Sequence, residues 1–358
     1  MLLGAVITAG CSSSRSGSDV SAPGFAGVDA AIEKRITNDH LEGAALLVVR
    51  DGSVIRNRGY GGYDPNSVVP IASASKWLTA ATMMTLVDEG RVSLDDPVSR
   101  YLPSFTGVSG TATIGQLLSH TSGIAQADCI WSSGSTLAGC VERVATARPA
   151  SAPGRTFAYG NTSYSVAGRI IEVITGQSFE EAFEQRIGGP VGMASTRFDD
   201  ADGQTTRNPV PAASAESSLH DYGRFVQMIA DDGAIDGVRV LTPASVREME
   251  RDHVGALRNE DDFAVRTTGI DTYGLGLWRD VTDATEAGVI SSGNGAFGFY
   301  PWIDRSRQAY GVLLVYDAAH SADHAVPASQ RIVHQVWDAL DAETGPAVTT
   351  QPTVVHGR

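Results

Sequence analysis

Ser73 and Lys76 stand three residues apart at the head of a long apolar stretch, in the order Ser73-Ala74-Ser75-Lys76. On a helix that spacing puts the two side chains on one face, so the lysine amine can reach the serine hydroxyl. A serine hydroxyl is a poor nucleophile until a neighbour removes its proton, and a lysine does so only when burial lowers its pKa. Trp77 and Leu78 supply apolar surroundings of that kind, and the positive end of the helix favours negative charge on the serine oxygen. The whole chain holds two lysines, Lys34 and Lys76, against twenty-five arginines. Arginine cannot be deprotonated to act as a base, so the choice of lysine here is informative.

Ser75 is the competing nucleophile, but adjacent residues on a helix do not face each other, which favours Ser73. The sequence contains no G-x-S-x-G elbow, no H-E-x-x-H and no P-loop pattern. His320 and His324 have i, i+4 spacing near Asp317 and Asp323, yet they follow a strand in loop-like sequence, and neither metal nor cofactor is assigned.

The elements that must position this pair follow from periodicity. Val28 to Ile36 has helical spacing. Ala44 to Arg50 and Ser53 to Tyr60 form a hairpin about the Asp51-Gly52 turn. Ser73 to Glu89 reads as a long buried helix closed by Gly90. The middle, from Arg91 to about His253, is mostly helical with Gly/Pro loops. Strand signals return at 288–292, 297–303 and 309–317, followed by an amphipathic helix over about 326–340. This order predicts an α+β fold: a central antiparallel sheet built from both chain ends, flanked by N- and C-terminal helices, with a large helical insertion. Residues 28–72 and about 256–341 form its α/β part, and 73–255 the mainly helical part. A groove is expected where the two meet.

A formal charge of −14 leaves no basic surface for phosphates, which disfavours nucleic acid as a partner. Residues 1–11 are an apolar run of small residues ending at Cys11, followed by a Ser/Gly-rich stretch. That pattern resembles a bacterial lipoprotein signal, which implies export, lipidation at Cys11 and a tether up to residue 27. A lipid anchor is the only membrane contact expected. Cys129 and Cys140 flank a Ser/Gly-bearing segment that lets them meet. In an exported protein they would form a structural disulfide worth on the order of 3 kcal/mol, and in the cytosol two free thiols. The tail over 342–358 lacks periodicity and is expected to be disordered.

A second element, Phe157-Ala158-Tyr159-Gly160-Asn161, resembles the Tyr-x-Asn motif of class C β-lactamases and the related esterases and DD-peptidases. Ile114 to Gly123, containing Leu117-Leu118-Ser119-His120-Thr121-Ser122-Gly123, is similar to another segment of that family, as is Pro190-Val191-Gly192-Met193. The resemblance spans roughly residues 28–341. It implies that Tyr159 is the general base, its pKa lowered by a lysine ammonium, and that Asn161 contacts Lys76 and the substrate amide; His120 is read as structural. The family's third element, Lys-Thr-Gly or His-x-Gly, is matched by Gly293-Asn294-Gly295, with Ser291-Ser292-Gly293 as an alternative register. Gly293 stands where the family has a cation for the substrate carboxylate, which weakens the β-lactamase and DD-peptidase readings. Gly295 would let the backbone approach the substrate, and the resemblance implies an oxyanion hole from the Ser73 and Ala296 N–H groups.

The expected function is therefore acyl-enzyme hydrolysis of a small-molecule ester or amide. Carboxylesterase ranks ahead of β-lactamase and DD-peptidase, and the rival class is a non-catalytic envelope binding protein. Substrate choice is expected to lie in the loops Ala125 to Cys140 and Arg251 to Ile270.

Overall fold

A computed structural model describes residues 23–198, 207–257, 259, 261–281 and 289–344. Cys11 and residues 345–358 lie outside them. The helix expected near Val28 is α1, Ala26–Asn38. The hairpin is β1, Gly43–Arg50, and β2, Ser53–Gly61. Asp51 and Gly52 both take positive φ, 50° and 70°, as a two-residue hairpin turn requires. After the middle of the chain come β3, Trp278–Val281, then β4, Val289–Ser292, β5, Tyr300–Asp304, and β6, Ala309–Val315. They join one antiparallel sheet in the order β2-β1-β6-β5-β4-β3, so the two ends of the chain meet where β1 pairs β6.

Period-two alternation gives this sheet two buried faces. Ala44, Leu46, Val48 and Leu313 pack with Val28 and Ile32 of α1 and with Val333 and Val336 of the last helix. The intervening Ala45, Val312 and Leu314 face the other way, onto the core that surrounds Trp77 and Phe225. The α+β expectation is thus realised, with three differences. The strand β3 had no clear strand pattern in the sequence. Positions 297–299 lie outside β5, which begins at Tyr300, the chain turning at 296–298 where the Gly298 N–H donates to the Gly295 carbonyl. A small second sheet also forms, in which Ala215–Ser218 pairs Val68–Pro70 on one side and Arg197–Phe198 on the other, the two strands later in the chain lying inside the region read as helical.

The central helix α2 runs Ser75–Asp88, and every residue from Ser75 to Leu86 is buried. A helix that is apolar all round belongs in the interior. Gly90, at φ 68°, closes it, with its N–H donating to the Val87 carbonyl. Four further helices matter for the site or its support: α3, Leu137–Thr146; α4, Thr162–Thr175; α5, Leu219–Ala230; and α6, Phe263–Thr268. The last helix, α7, spans Ala322–Thr344, longer than expected, and carries Pro327 in its second turn. Among the described residues no helix is long and apolar enough to cross a membrane. Cys129 and Cys140 are joined as a disulfide, with their Cα atoms 5.4 Å apart.

Candidate active site

Ser73 lies in a 3₁₀ turn, Ala72–Ala74, that leads into α2, so the nucleophile candidate sits just ahead of the α-helix and not within its first turn. The turn is strained. Ala72 has φ 45°, a left-handed conformation that costs a non-glycine residue about 1–2 kcal/mol. The surrounding structure holds it there: the Ile71 N–H donates to the Ala215 carbonyl, the Tyr222 hydroxyl to the Ala74 carbonyl, and the Ser75 hydroxyl to the Ala72 carbonyl. Ser75 also accepts from the Ala215 N–H at 3.1 Å and is wholly buried. It braces the turn from beneath and does not face the cleft.

Lys76 is fully buried, and its Nζ lies 3.0 Å from Ser73 Oγ, 2.9 Å from Asn161 Oδ1 and 3.2 Å from the Ala212 carbonyl oxygen. Burial pulls its pKa down from 10.5 to about 7. A neutral amine has two hydrogens and one lone pair. In the structure Nζ donates to all three oxygens; on losing one proton it keeps two hydrogens for Asn161 and Ala212 and turns a lone pair toward the serine hydroxyl.

Tyr159 precedes α4 and lines the same cleft as Ser73, near enough for its hydroxyl to interact with the serine. Its position is fixed from several sides. The indole of Trp278, on β3, stacks on its ring at 5.0 Å and 23°, and the His120 ring lies 4.4 Å away. One carboxylate, Asp262, accepts from the Tyr159 N–H through Oδ2 and caps α6 by accepting from the Ala264 N–H through Oδ1. Gln126 Oε1 accepts from the Asn161 N–H at 3.0 Å and so orients the residue that grips Lys76.

The expected lowering of the Tyr159 pKa does not occur. Burial raises it, the hydrogen bond with Ser73 opposes this only in part, and the Asp262 charge raises it further. The main physical reason is burial, which disfavours the charged phenolate more than its neighbours can offset. His120 is also buried, and its pKa is depressed by burial and by the proximity of Lys76. It accepts weakly from the Gly160 N–H at 3.4 Å and packs among Tyr159, Tyr164 and Tyr273, in keeping with its structural reading.

The third motif divides. Only Asn294 lines the cleft at Ser73, together with Ala296. A Cβ on Gly293 would point at the Trp77 ring and the Tyr222 hydroxyl, so this position does not face the substrate. A Cβ on Gly295 would come 2.3 Å from the Ile71 carbonyl oxygen. Its glycine therefore serves close packing against the turn that carries Ser73, in place of the expected approach to substrate. The alternative register fails on position: Ser291 bonds Glu250, and neither Ser291 nor Ser292 lines the cleft. Asn294 is buried, and among the described residues neither of its side-chain polar atoms has a partner in bonding geometry, although the Tyr300 hydroxyl lies close. Among the described residues the Ala296 N–H makes no backbone hydrogen bond.

The cleft itself has a volume of about 130 Å³, and apart from Ser73, Tyr159, Asn294 and Ala296 its walls are Phe263, Ala264, Thr267, Thr268, Trp278 and Ala322. None of these is cationic. Larger hollows elsewhere, such as the one between Asp51 and Arg305, contain none of the catalytic candidates. Sequence reasoning missed Trp278, Asp262, Gln126 and the Ala212 carbonyl, and no local pattern marks them. It did place the α6 segment within a loop expected to shape the cleft.

A serine, a buried lysine and a tyrosine brought together at the edge of an antiparallel sheet define a serine-hydrolase class, and the chain belongs to the Beta-lactamase family, whose family model matches residues 28–334. It is 35% identical over 272 residues to Penicillin-binding protein 4 of Amycolatopsis lactamdurans, an alignment covering 65% of this chain and 70% of that one. Among solved structures, one from Bacteroides dorei DSM 17855 is 30% identical with a TM-score of 0.79, covering 88% of this chain and 99% of the other. A family VIII carboxylesterase shares the fold, with a TM-score of 0.71 at 16% identity over 90% and 99% of the two chains.

Proposed function

We propose that this protein is a carboxylesterase that works through an acyl-enzyme at Ser73 on small esters whose acyl group is apolar and uncharged. The observation that carries the reading is the set of three contacts from Lys76 Nζ: once the amine loses a proton, Asn161 and Ala212 keep its two hydrogens and its lone pair turns to Ser73. Lys76 takes the Ser73 proton as Oγ attacks the ester carbonyl. The Ser73 and Ala296 N–H groups stabilise the oxyanion. The Tyr159 phenol then gives its proton to the departing alkoxide, and the alcohol leaves. Lysine ammonium and phenolate now stand side by side, each stabilising the other. In deacylation the phenolate takes a proton from water, the resulting hydroxide attacks the acyl carbonyl, and Lys76 returns its proton to Ser73 as the acid is released. Asn294, buried without a bonded partner, supplies a polar contact for the substrate.

Preference for esters over penicillins and peptides rests on the cleft walls, which among the described residues offer no cation for a carboxylate. The Cys129–Cys140 bridge supports placement outside the cytosol, and lipidation at Cys11 would hold the domain at a membrane surface. Side-by-side turnover of a p-nitrophenyl butyrate and a chromogenic cephalosporin tests the reading. The ester should turn over faster by at least two orders of magnitude; faster cephalosporin hydrolysis would reverse the assignment.

A further inference from the structure

Asp317, His320 and His324 gather where β6 gives way to α7, outside the catalytic group, and one donor atom from each lies within 4.8 Å of the other two. The Asp317 carboxylate is fully buried. Its Oδ1 bonds His320 Nδ1 at 2.8 Å, while among the described residues Oδ2 has no hydrogen-bond partner. Among the described residues Oδ2 faces the buried Arg35 guanidinium as an ion pair at 3.8 Å, too long for a hydrogen bond, because Arg35 is anchored on the Ser329 hydroxyl, the Ala325 carbonyl and the Asp39 carboxylate. That ion pair offsets part of the charge, but a buried carboxylate oxygen with no hydrogen bond still has coordination to fill. The two imidazoles are exposed and lie face to face, with ring centres 4.5 Å apart and a 31° tilt. His324 Nε2 also stands 3.3 Å from Asp39 Oδ2, at the end of α1.

We infer that Asp317, His320 and His324 form a binding site for one divalent transition-metal ion, zinc foremost, with Asp39 or water as the fourth ligand. Two imidazoles and a carboxylate are a donor set suited to zinc. Ligands at about 2.1 Å in a tetrahedron lie about 3.4 Å apart, so closure asks for movements of about an ångström, which exposed imidazoles can make. With both carboxylates ionised, the Arg35 charge reduces the attraction for the ion without abolishing it. A bound ion would fasten the start of α7 to α1. The same segment borders the catalytic cleft through Ala322, and the Asp317 N–H donates to the Phe297 carbonyl, next to Ala296. The ion would thus stiffen one wall of the cleft from behind while remaining outside the chemistry.

The test is zinc titration of the untagged, EDTA-treated chain by calorimetry, with melting temperature as a second readout. One ion per chain at micromolar zinc and a higher melting temperature are expected. His320→Ala and His324→Ala, both surface changes that leave the circular dichroism unaltered, should each weaken binding at least tenfold and remove the thermal shift. No zinc uptake by the unsubstituted chain, or uptake unchanged in both variants, would overturn the assignment.

Discussion

A Cβ placed on Gly293 would lie 3.0 Å from Cε3 of Trp77, so the residue at the head of the third motif faces the buried helix behind Ser73 and not the cleft. Restoring the family's cation at this position is therefore not a route to penicillin recognition. Gly293→Lys should force the Trp77 ring aside, destabilise the fold by about 1–3 kcal/mol as overpacking does, and leave cephalosporin turnover no higher. Chemical denaturation and a cephalosporin assay on the same preparation check both halves.

Ser75 shares the segment with Ser73 but is turned inward, bonded to the Ala72 carbonyl and the Ala215 N–H. Ser75→Ala should lower stability by about 1–3 kcal/mol, the cost of stranding a buried N–H, while ester turnover stays within a few-fold. Loss of turnover equal to that of Ser73→Ala would move the nucleophile.

The pH dependence follows from Lys76. Its pKa in the folded protein, about 7, lies below its ordinary 10.5, so between those values the unfolded chain holds the extra proton. Stability should consequently rise with pH across that window, by up to about 1.4 kcal/mol per unit, and its lysine contribution should level off below pH 7. Lys76→Met should flatten this slope. The same titration makes kcat/KM of the unsubstituted chain climb through pH 7 as the free amine appears. A profile flat from pH 5 to 9 would contradict a lysine base.

The Cys129–Cys140 bridge closes a short loop beside Gln126, which orients Asn161. Replacing both cysteines by serine should cost about 2–4 kcal/mol. Through Gln126 it should also reduce ester turnover modestly. Melting curves with and without reductant give the first number directly.

How much of this was legible depended on the range of each interaction. Ser73 and Lys76 are three residues apart, so their partnership could be read from local geometry, and the Asp51-Gly52 hairpin likewise declared itself. Tyr159 and Asn161 come from far along the chain and became visible only through their likeness to a family motif. Trp278, Asp262, Gln126 and the Ala212 carbonyl act on the site through contacts that span dozens of residues, for which sequence spacing carries no signal. The small sheet was missed because its strands hold two to four residues, too few for alternation to register. The phenol's pKa ran opposite to expectation because burial of the ring itself disfavours the phenolate, an effect that a short motif does not reveal.

The central claim is that Ser73 becomes the acylated residue because Lys76 can take its proton. Treating the folded protein with a fluorophosphonate and mapping the adduct by peptide mass spectrometry tests it most directly. The account predicts a single adduct on Ser73 in the unsubstituted chain and none in Ser73→Ala or Lys76→Ala. An adduct on another serine, or an esterase-active preparation with Ser73 unlabelled, would contradict it.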